Sequence, residues 1–187
     1  MAVAAGVDWI QVRARELEDG ALLHHVDEIR RAAGPRARVL VNRRVDVALA
    51  AGADGVHLGF DGMPPEAARR LLGRDALIGI ATHHPEELAG AAGGPLSYAH
   101  LAPIFQPLSK TASRPPLGLA AIREAARHGV PVIAQGGIEA ENARSCVEAG
   151  AAGVAVTGSI LACADPAAAA AAIREALDAS SPGERAR

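Results

Sequence analysis

Pro131-Val132-Ile133-Ala134-Gln135-Gly136-Gly137-Ile138 decides how the rest of the chain is read. A short apolar run, rich in β-branched residues, stops at two glycines, and a helical pattern from Glu139 to Ala149 follows. That order describes a buried parallel strand opening into a helix. The paired glycines mark a tight turn, a close approach of backbone to a ligand, or both. Backbone N–H groups at a strand end ahead of a helix form a natural anion site. On these residues alone, a plain strand-to-helix turn explains the glycines equally well.

Working outward, one phrase occurs three times: Ala4-Ala5-Gly6-Val7-Asp8-Trp9-Ile10-Gln11-Val12, then Ala50-Ala51-Gly52-Ala53-Asp54-Gly55-Val56-His57-Leu58, then Glu148-Ala149-Gly150-Ala151-Ala152-Gly153-Val154-Ala155-Val156. Each copy reads as a helix end, a glycine just past it, a turn and a buried strand. The repetition predicts a regular βα array. Strands are expected at Trp9–Arg13, Val39–Asn42, Gly55–Leu58, Ala76–Ile80, Ser97–Pro103, Val132–Gln135 and Gly153–Val156. Helices are expected at Asp19–Ala33, Val45–Ala51, Pro64–Leu72, Pro85–Ala92, Leu117–His128, Ala140–Ala149 and Pro166–Leu177. Alternating units with near-continuous apolar strands imply an α/β fold whose parallel sheet is covered on both faces. The expectation is a (β/α)8 TIM barrel with seven strands visible and its N-terminal βα unit truncated. The alternative is an open doubly wound sheet, which a dinucleotide-type glycine loop would favour and this chain lacks. Residues 1–179 are expected to form a single domain and 180–187 a disordered tail.

Half of the 187 residues are hydrophobic and only 2% aromatic, so the core must be built from Ala, Val, Leu and Ile. A formal charge of -2 leaves no electrostatic footprint for nucleic acid or an anionic membrane surface. Cys146 and Cys163 lack metal-ligand spacing and fit a reduced, cytoplasmic setting. No apolar run reaches the length of a membrane span. Lys110 is the one lysine among nineteen basic residues.

In a barrel the active site lies at the C-terminal ends of the strands, with phosphate bound after the last two. Here those places are Gln135-Gly136-Gly137 and Val156-Thr157-Gly158-Ser159. Gln11, Arg13 and Arg15 alternate at another strand end and are expected to project to one side. Two guanidiniums and an amide suit a pyrophosphate or carboxylate, because arginine grips such groups in a planar fork. Asn42 ends the next strand, followed by Arg43 and Arg44. His57 reads as a strand histidine, and His83-His84 ahead of Pro85 as a helix entry with a capping role. The loop Ile104–Pro116 is long enough for a lid, on which Ser109 and Lys110 could close on a phosphate.

Taken together, these residues resemble the thiamine phosphate synthase superfamily, which includes the related thiazole tautomerases. The matching stretches are Ile10–Arg15, Val41–Asp46, Gly52–Gly59, Ile78–His83, Pro103–Phe105, Pro116–Leu119, Ala134–Ile138 and Gly150–Val156. Their order and spacing cover essentially the whole chain. The resemblance implies a thiamine biosynthesis enzyme that joins 4-amino-2-methyl-5-hydroxymethylpyrimidine pyrophosphate to thiazole phosphate and releases pyrophosphate, with Mg²⁺ and as a homodimer. It implies a dissociative displacement in which pyrophosphate leaves before the thiazole nitrogen captures a pyrimidine carbocation. By motif position Gln11, Arg13 and Arg15 would hold the pyrimidine pyrophosphate, with Asn42, Ser109 and Lys110 beside it. Arg13 and Lys110 would act catalytically, and Gly136, Gly137, Thr157 and Gly158 would hold the thiazole phosphate.

Departures from the family pattern are specific. Arg15 stands where lysine is usual, and Ala81 and Pro107 replace hydroxyl residues. Arg43 takes the place of the first metal carboxylate; the second falls at Gly62, with Asp61 one position early as the remaining metal-ligand candidate. Two alternatives therefore accompany the synthase reading. One is a metal-independent thiazole tautomerase relative, which would need His100 or His83 as base because Pro103 occupies the tautomerase histidine position. The other is a non-catalytic binder of a phosphorylated ligand.

Overall fold

The computed structural model describes residues 2–106 and 114–179. Seven strands form one sheet: β1 (Trp9–Val12), β2 (Arg38–Asn42), β3 (Gly55–Leu58), β4 (Leu77–Thr82), β5 (Tyr98–Leu101), β6 (Val132–Gln135) and β7 (Gly153–Ala155). Their order in space is their order in sequence, and all six ladders are parallel. Among the described residues seven α-helices accompany them: α1 (Asp19–Ala33), α2 (Val45–Ala50), α3 (Pro65–Leu72), α4 (Gly118–Ala126), α5 (Ala140–Glu148), α6 (Gly158–Leu161) and α7 (Pro166–Asp178). The α/β array of the expected barrel type is therefore present, as a curled seven-stranded sheet edged by β1 and β7.

The three repeated phrases behave as expected, with Gly6, Gly52 and Gly150 all in left-handed conformation at φ of 102°, 58° and 105°. Two elements differ. The helix expected at Pro85–Ala92 is only a 3₁₀ turn, Pro85–Leu88, because Gly90 and Gly93 turn left-handed and the chain leaves the helix path. The four-residue α6 is too short to leave a periodic signal.

Paired residues in a parallel ladder face the same side, so register assigns the layers. Val12, Val41, Val56 and Ile78 form one outward row, all buried beneath α1, α2 and α3. Leu101 and Ala134 belong to a second outward row beneath α4, α5 and α7. Burying each Val or Ile stabilises the fold by about 1.5–3 kcal/mol, so these two layers supply most of the driving force.

The inward rows hold the larger groups. Asn42, His57, Gly79 and Tyr98 form one row, and Ala81, His100 and Ile133 the next. The rings of Trp9 on β1 and Tyr98 on β5 lie 5.2 Å apart, and those of His57 and His100 4.3 Å apart. In a flat sheet β1 and β5 would be about 19 Å apart, at roughly 4.8 Å per strand. The sheet is therefore curled hard enough to bring side chains across its interior. Outside the curl, the turn Ala2–Ala5 packs on α7, and Arg174 of α7 binds Asp8 at 3.0 Å, just ahead of β1. At the opposite end from the site, Arg69 of α3 donates to the carbonyls of Ala76 and Pro95, both at 2.7 Å, tying the entries to β4 and β5.

Gly79 makes the interior possible, because a Cβ there would lie 2.0 Å from Tyr98 Cζ. Gly79→Ala is expected to cost about 1–3 kcal/mol by overpacking, read as a shift in the urea unfolding midpoint. Placing it in a Tyr98→Ala background should recover at least about 1 kcal/mol of that cost. Strict additivity of the two substitutions would contradict the seating of Tyr98 against Gly79.

Candidate active site

The curl gathers the C-terminal strand ends into a mouth, and two chemically different halves face it. The first is built on β6 and β7. Gly136 and Gly137 have φ of 95° and 62°, and a Cβ on either would lie 2.8 Å from Pro103 or 2.4 Å from the Gln106 carbonyl oxygen. Both glycines are thus required by the close approach of the loop after β5. That loop donates from Ile104 N–H to Gln135 O and from Phe105 N–H to Gly136 O. Asn142 Nδ2 donates to Gly137 O at 2.9 Å, and Ser159 Oγ donates to Ile138 O. Four consecutive carbonyls, from Gln135 to Ile138, are therefore satisfied inside the protein. A phosphate cannot rest against carbonyl oxygens, so their removal from the mouth is the condition for an anion site here.

The Ser159 bond also places Thr157-Gly158 against the Gly136-Gly137 loop, bringing together the four residues expected for phosphate. Asn142 is set by a capping box with Glu139, whose N–H donates to Asn142 Oδ1 at 3.0 Å. The pinning by Asn142 and Ser159 was not anticipated from sequence. The Glu139-x-x-Asn142 spacing was its one readable signal.

The second half is built on the ends of β1, β2 and β3. A cavity of about 450 Å³ is lined by Arg15, Asn42, Arg43, Arg44 and Asp61 together with the apolar Val12 and Leu22. Arg44 is fully engaged, binding Asp19 at 2.8 Å and Asp46 at 2.6 Å. Arg43 binds Asp61 at 2.7 Å. Arg13 lies close enough to Arg15 and Arg43 for its pKa to be lowered, first by burial and then by those two like charges. Asp61 is held below the usual carboxylate range, chiefly by its bond from Arg43. Of Gln11, Arg13 and Arg15, only Arg15 lines the cavity; β1 ends at Val12, and Arg13 lies near both Arg15 and Arg43. Ser109 and Lys110 lie outside the described residues.

Do these residues suit Mg²⁺? A magnesium site needs one or two carboxylates free to share a hard cation with substrate phosphate. Asp61, the one candidate, is occupied by the Arg43 guanidinium, and Arg15 acts on the same carboxylate. Among the described residues no three His, Cys, Asp or Glu side chains group around a common point. The donor set does not fit the ion.

Beneath the mouth, His57 Nδ1 and Tyr98 Oη are 3.1 Å apart, and both residues are buried. Burial, then His100 and Arg13, push the His57 pKa down to about 3. Burial pushes His100 down to about 4, against a hydrogen bond to Gln135 that acts the other way. At neutral pH both are uncharged and weakly basic. His83 Nδ1 faces Ala102 O at 3.0 Å, and Glu87, not a histidine, accepts the His83 N–H. The expected capping by His83 and His84 side chains is thus not found: His84, at the N-cap, makes no side-chain cap bond.

A family model described as thiamine monophosphate synthase matches residues 1–160. A thiamine-phosphate synthase of Anaeromyxobacter dehalogenans (strain 2CP-C) is 45% identical over 179 residues, covering 95% of this chain and 81% of the relative. The thiamine-phosphate synthase of Albidiferax ferrireducens is 41% identical, with coverage of 95% and 82%. Among solved structures, thiamine phosphate pyrophosphorylase from Pyrococcus furiosus superposes with a TM-score of 0.82 at 28% identity, covering 95% of this chain and 86% of that one. Among the described residues no helix is long and apolar enough to cross a membrane.

The two buried histidines predict an acid sensitivity whose sign is fixed. Their folded pKa values lie below the unfolded value near 6.5, so the unfolded chain takes up protons first. Stability is fully present above about pH 6.5 and falls toward pH 4, by up to about 1.4 kcal/mol per pH unit for each histidine. Urea unfolding at pH 7.5, 6 and 5 should show this fall, and His100→Gln should reduce the slope. A flat midpoint over that range would contradict the burial of neutral histidines.

Proposed function

The chain belongs to the thiamine monophosphate synthase family, and from that premise we propose that its two-sided mouth performs the synthase reaction. The substrates are a pyrimidinylmethyl pyrophosphate and a thiazole phosphate; the products are thiamine phosphate and pyrophosphate. The observation that carries this reading is the pairing of a carbonyl-free glycine loop at β6 and β7 with an arginine-rich cavity at β1 and β2. Two anionic groups need two such sites, and the relatives named thiamine-phosphate synthase align over nearly the full chain.

In the proposed mechanism the C–O bond between the pyrimidine methylene and pyrophosphate breaks, and its electron pair leaves on oxygen. The thiazole nitrogen lone pair then forms the new C–N bond, producing the thiazolium. No strong base is needed, so the protein acts by placing the nucleophile and stabilising charge on the leaving group. Arg13 and Arg15 meet the pyrophosphate, with Gln11 and Asn42 orienting the pyrimidine side. Gly136, Gly137, Thr157 and Gly158 fix the thiazole phosphate, and so aim the ring nitrogen. A thiazole tautomerase reading has less support, since His100, buried with its pKa lowered to about 4, is a poor base at neutral pH. A cytoplasmic location and a homodimer complete the proposal.

Incubation with both substrates, followed by fluorescent detection of oxidised thiamine phosphate, tests the reading; product formation is expected. Arg13→Gln should lower kcat/KM by about 100-fold or more, the loss typical of one donor to developing negative charge. Gly137→Ala should raise KM for the thiazole phosphate, because its Cβ would displace the Gln106 carbonyl. Aromatisation of a thiazole precursor, with no thiamine phosphate formed, would replace the synthase reading by the tautomerase one.

A further inference from the structure

The cavity at β1 and β2 holds an imbalance of charge that its own residues do not cancel. Three guanidiniums line it, from Arg15, Arg43 and Arg44, and Arg13 lies close enough to feel the charges of Arg15 and Arg43. Arg44 is neutralised twice over, by Asp19 and Asp46. Arg43 has Asp61 alone, and among the described residues Arg13 and Arg15 have no acidic partner within salt-bridge distance. Guanidiniums brought this close repel one another, and an anion of high charge relieves the repulsion.

Arg43 is placed with unusual care. It is the one non-glycine residue with positive φ among those described, at 64°, a conformation that costs a side-chain-bearing residue about 1–2 kcal/mol. Its N–H donates to His57 O at 2.8 Å, which holds that turn against β3. Its guanidinium then passes directly over Gly59, where a Cβ would lie 2.4 Å from Nη1. A glycine lies beneath the side chain and an aspartate holds its tip, so a long flexible cation is fixed at the cavity wall. The contact with Asp61 is solvent-exposed, and such a pair stabilises little, so an incoming phosphate can displace the carboxylate at small cost.

We propose that the pyrophosphate subsite of this chain works without a divalent cation. Arg43, with Arg13 and Arg15, supplies the positive charge, and Asp61 is the resting partner of Arg43, not a metal ligand. The proposal rests on the synthase reading for the identity of the leaving group. In the reaction, pyrophosphate departs with the electron pair of the broken C–O bond, and three guanidiniums receive the charge through planar, bidentate hydrogen bonds. Electrons and atoms balance without any added reductant, oxidant or proton donor.

Calorimetric titration of the full chain with inorganic pyrophosphate in EDTA tests the proposal, alongside turnover with both substrates. Binding in EDTA is expected, unchanged within about twofold when Mg²⁺ replaces the chelator. Arg43→Gly should weaken that binding at least tenfold while keeping the fold, because glycine suits the left-handed backbone; its circular dichroism and Tm serve as the control. Asp61→Asn should tighten binding, since it frees Arg43, whereas loss of a metal ligand would weaken it. Binding or turnover that disappears in EDTA, or an Asp61→Asn variant that loses binding, overturns the proposal and leaves the synthase reading standing if product forms with Mg²⁺. Pyrophosphate binding in EDTA without thiamine phosphate formation under either condition sustains the metal-free anion site and overturns the synthase reading instead.

Discussion

The seating of Tyr98 against Gly79 is the contact on which the rest of the molecule depends. A sheet of small and aliphatic residues has no intrinsic reason to stop curling at one radius. Here the radius is set by what fills the inside: the Tyr98 ring over a bare glycine, His57 bonded to the Tyr98 hydroxyl, and Trp9 reaching across from β1. With 2% aromatic residues in the chain, these few rings carry a disproportionate share of the interior volume. The curl then places the ends of β1 and β2 across one mouth from the ends of β6 and β7, which is what gives a two-substrate site its two halves.

On the proposed reading those halves solve the same problem, holding an anion, by different means. At β6 and β7 the backbone does it: the N–H groups of Ile104 and Phe105 and the side chains of Asn142 and Ser159 draw the carbonyls of Gln135 to Ile138 into the protein, and neither Gly136 nor Gly137 can carry a Cβ. At β1 and β2 side chains do it, through guanidiniums whose charges exceed the carboxylates available to them. The first arrangement is fixed by hydrogen bonds on both sides of the loop. The second relies on charge that its own carboxylates do not fully cancel, which on the proposed reading the pyrophosphate leaving group meets.

Much of this was legible in the sequence, for physical reasons that differ by element. The strands were, because a strand buried on both faces is an uninterrupted aliphatic run, and the left-handed glycines at Gly6, Gly52 and Gly150 were, because each closes a helix before a strand. The phosphate loop was legible as a loop, but not the reason for its two glycines, which is contact with a segment more than thirty residues earlier in the chain. The spacing of Gln11, Arg13 and Arg15 is a strand signal only as far as Val12, where β1 ends, so the placement of the two arginines was not legible from alternation alone. The Arg43–Asp61 pair spans eighteen residues, and no local pattern announces it. What the sequence did offer was Arg43 at a position where the resembling family carries a carboxylate. The helix expected at Pro85–Ala92 failed for a readable reason, since Gly90 stood inside it and Gly93 just past its end.

A crystal structure of the chain with thiamine phosphate and pyrophosphate, grown in the presence of Mg²⁺, tests the central claim most directly. The account predicts the product phosphate against the Gly136-Gly137 and Thr157-Gly158 backbone, and pyrophosphate on Arg13, Arg15 and Arg43 with Asp61 released from Arg43. Density for an octahedral ion on Asp61, or either anion bound away from these residues, would contradict it.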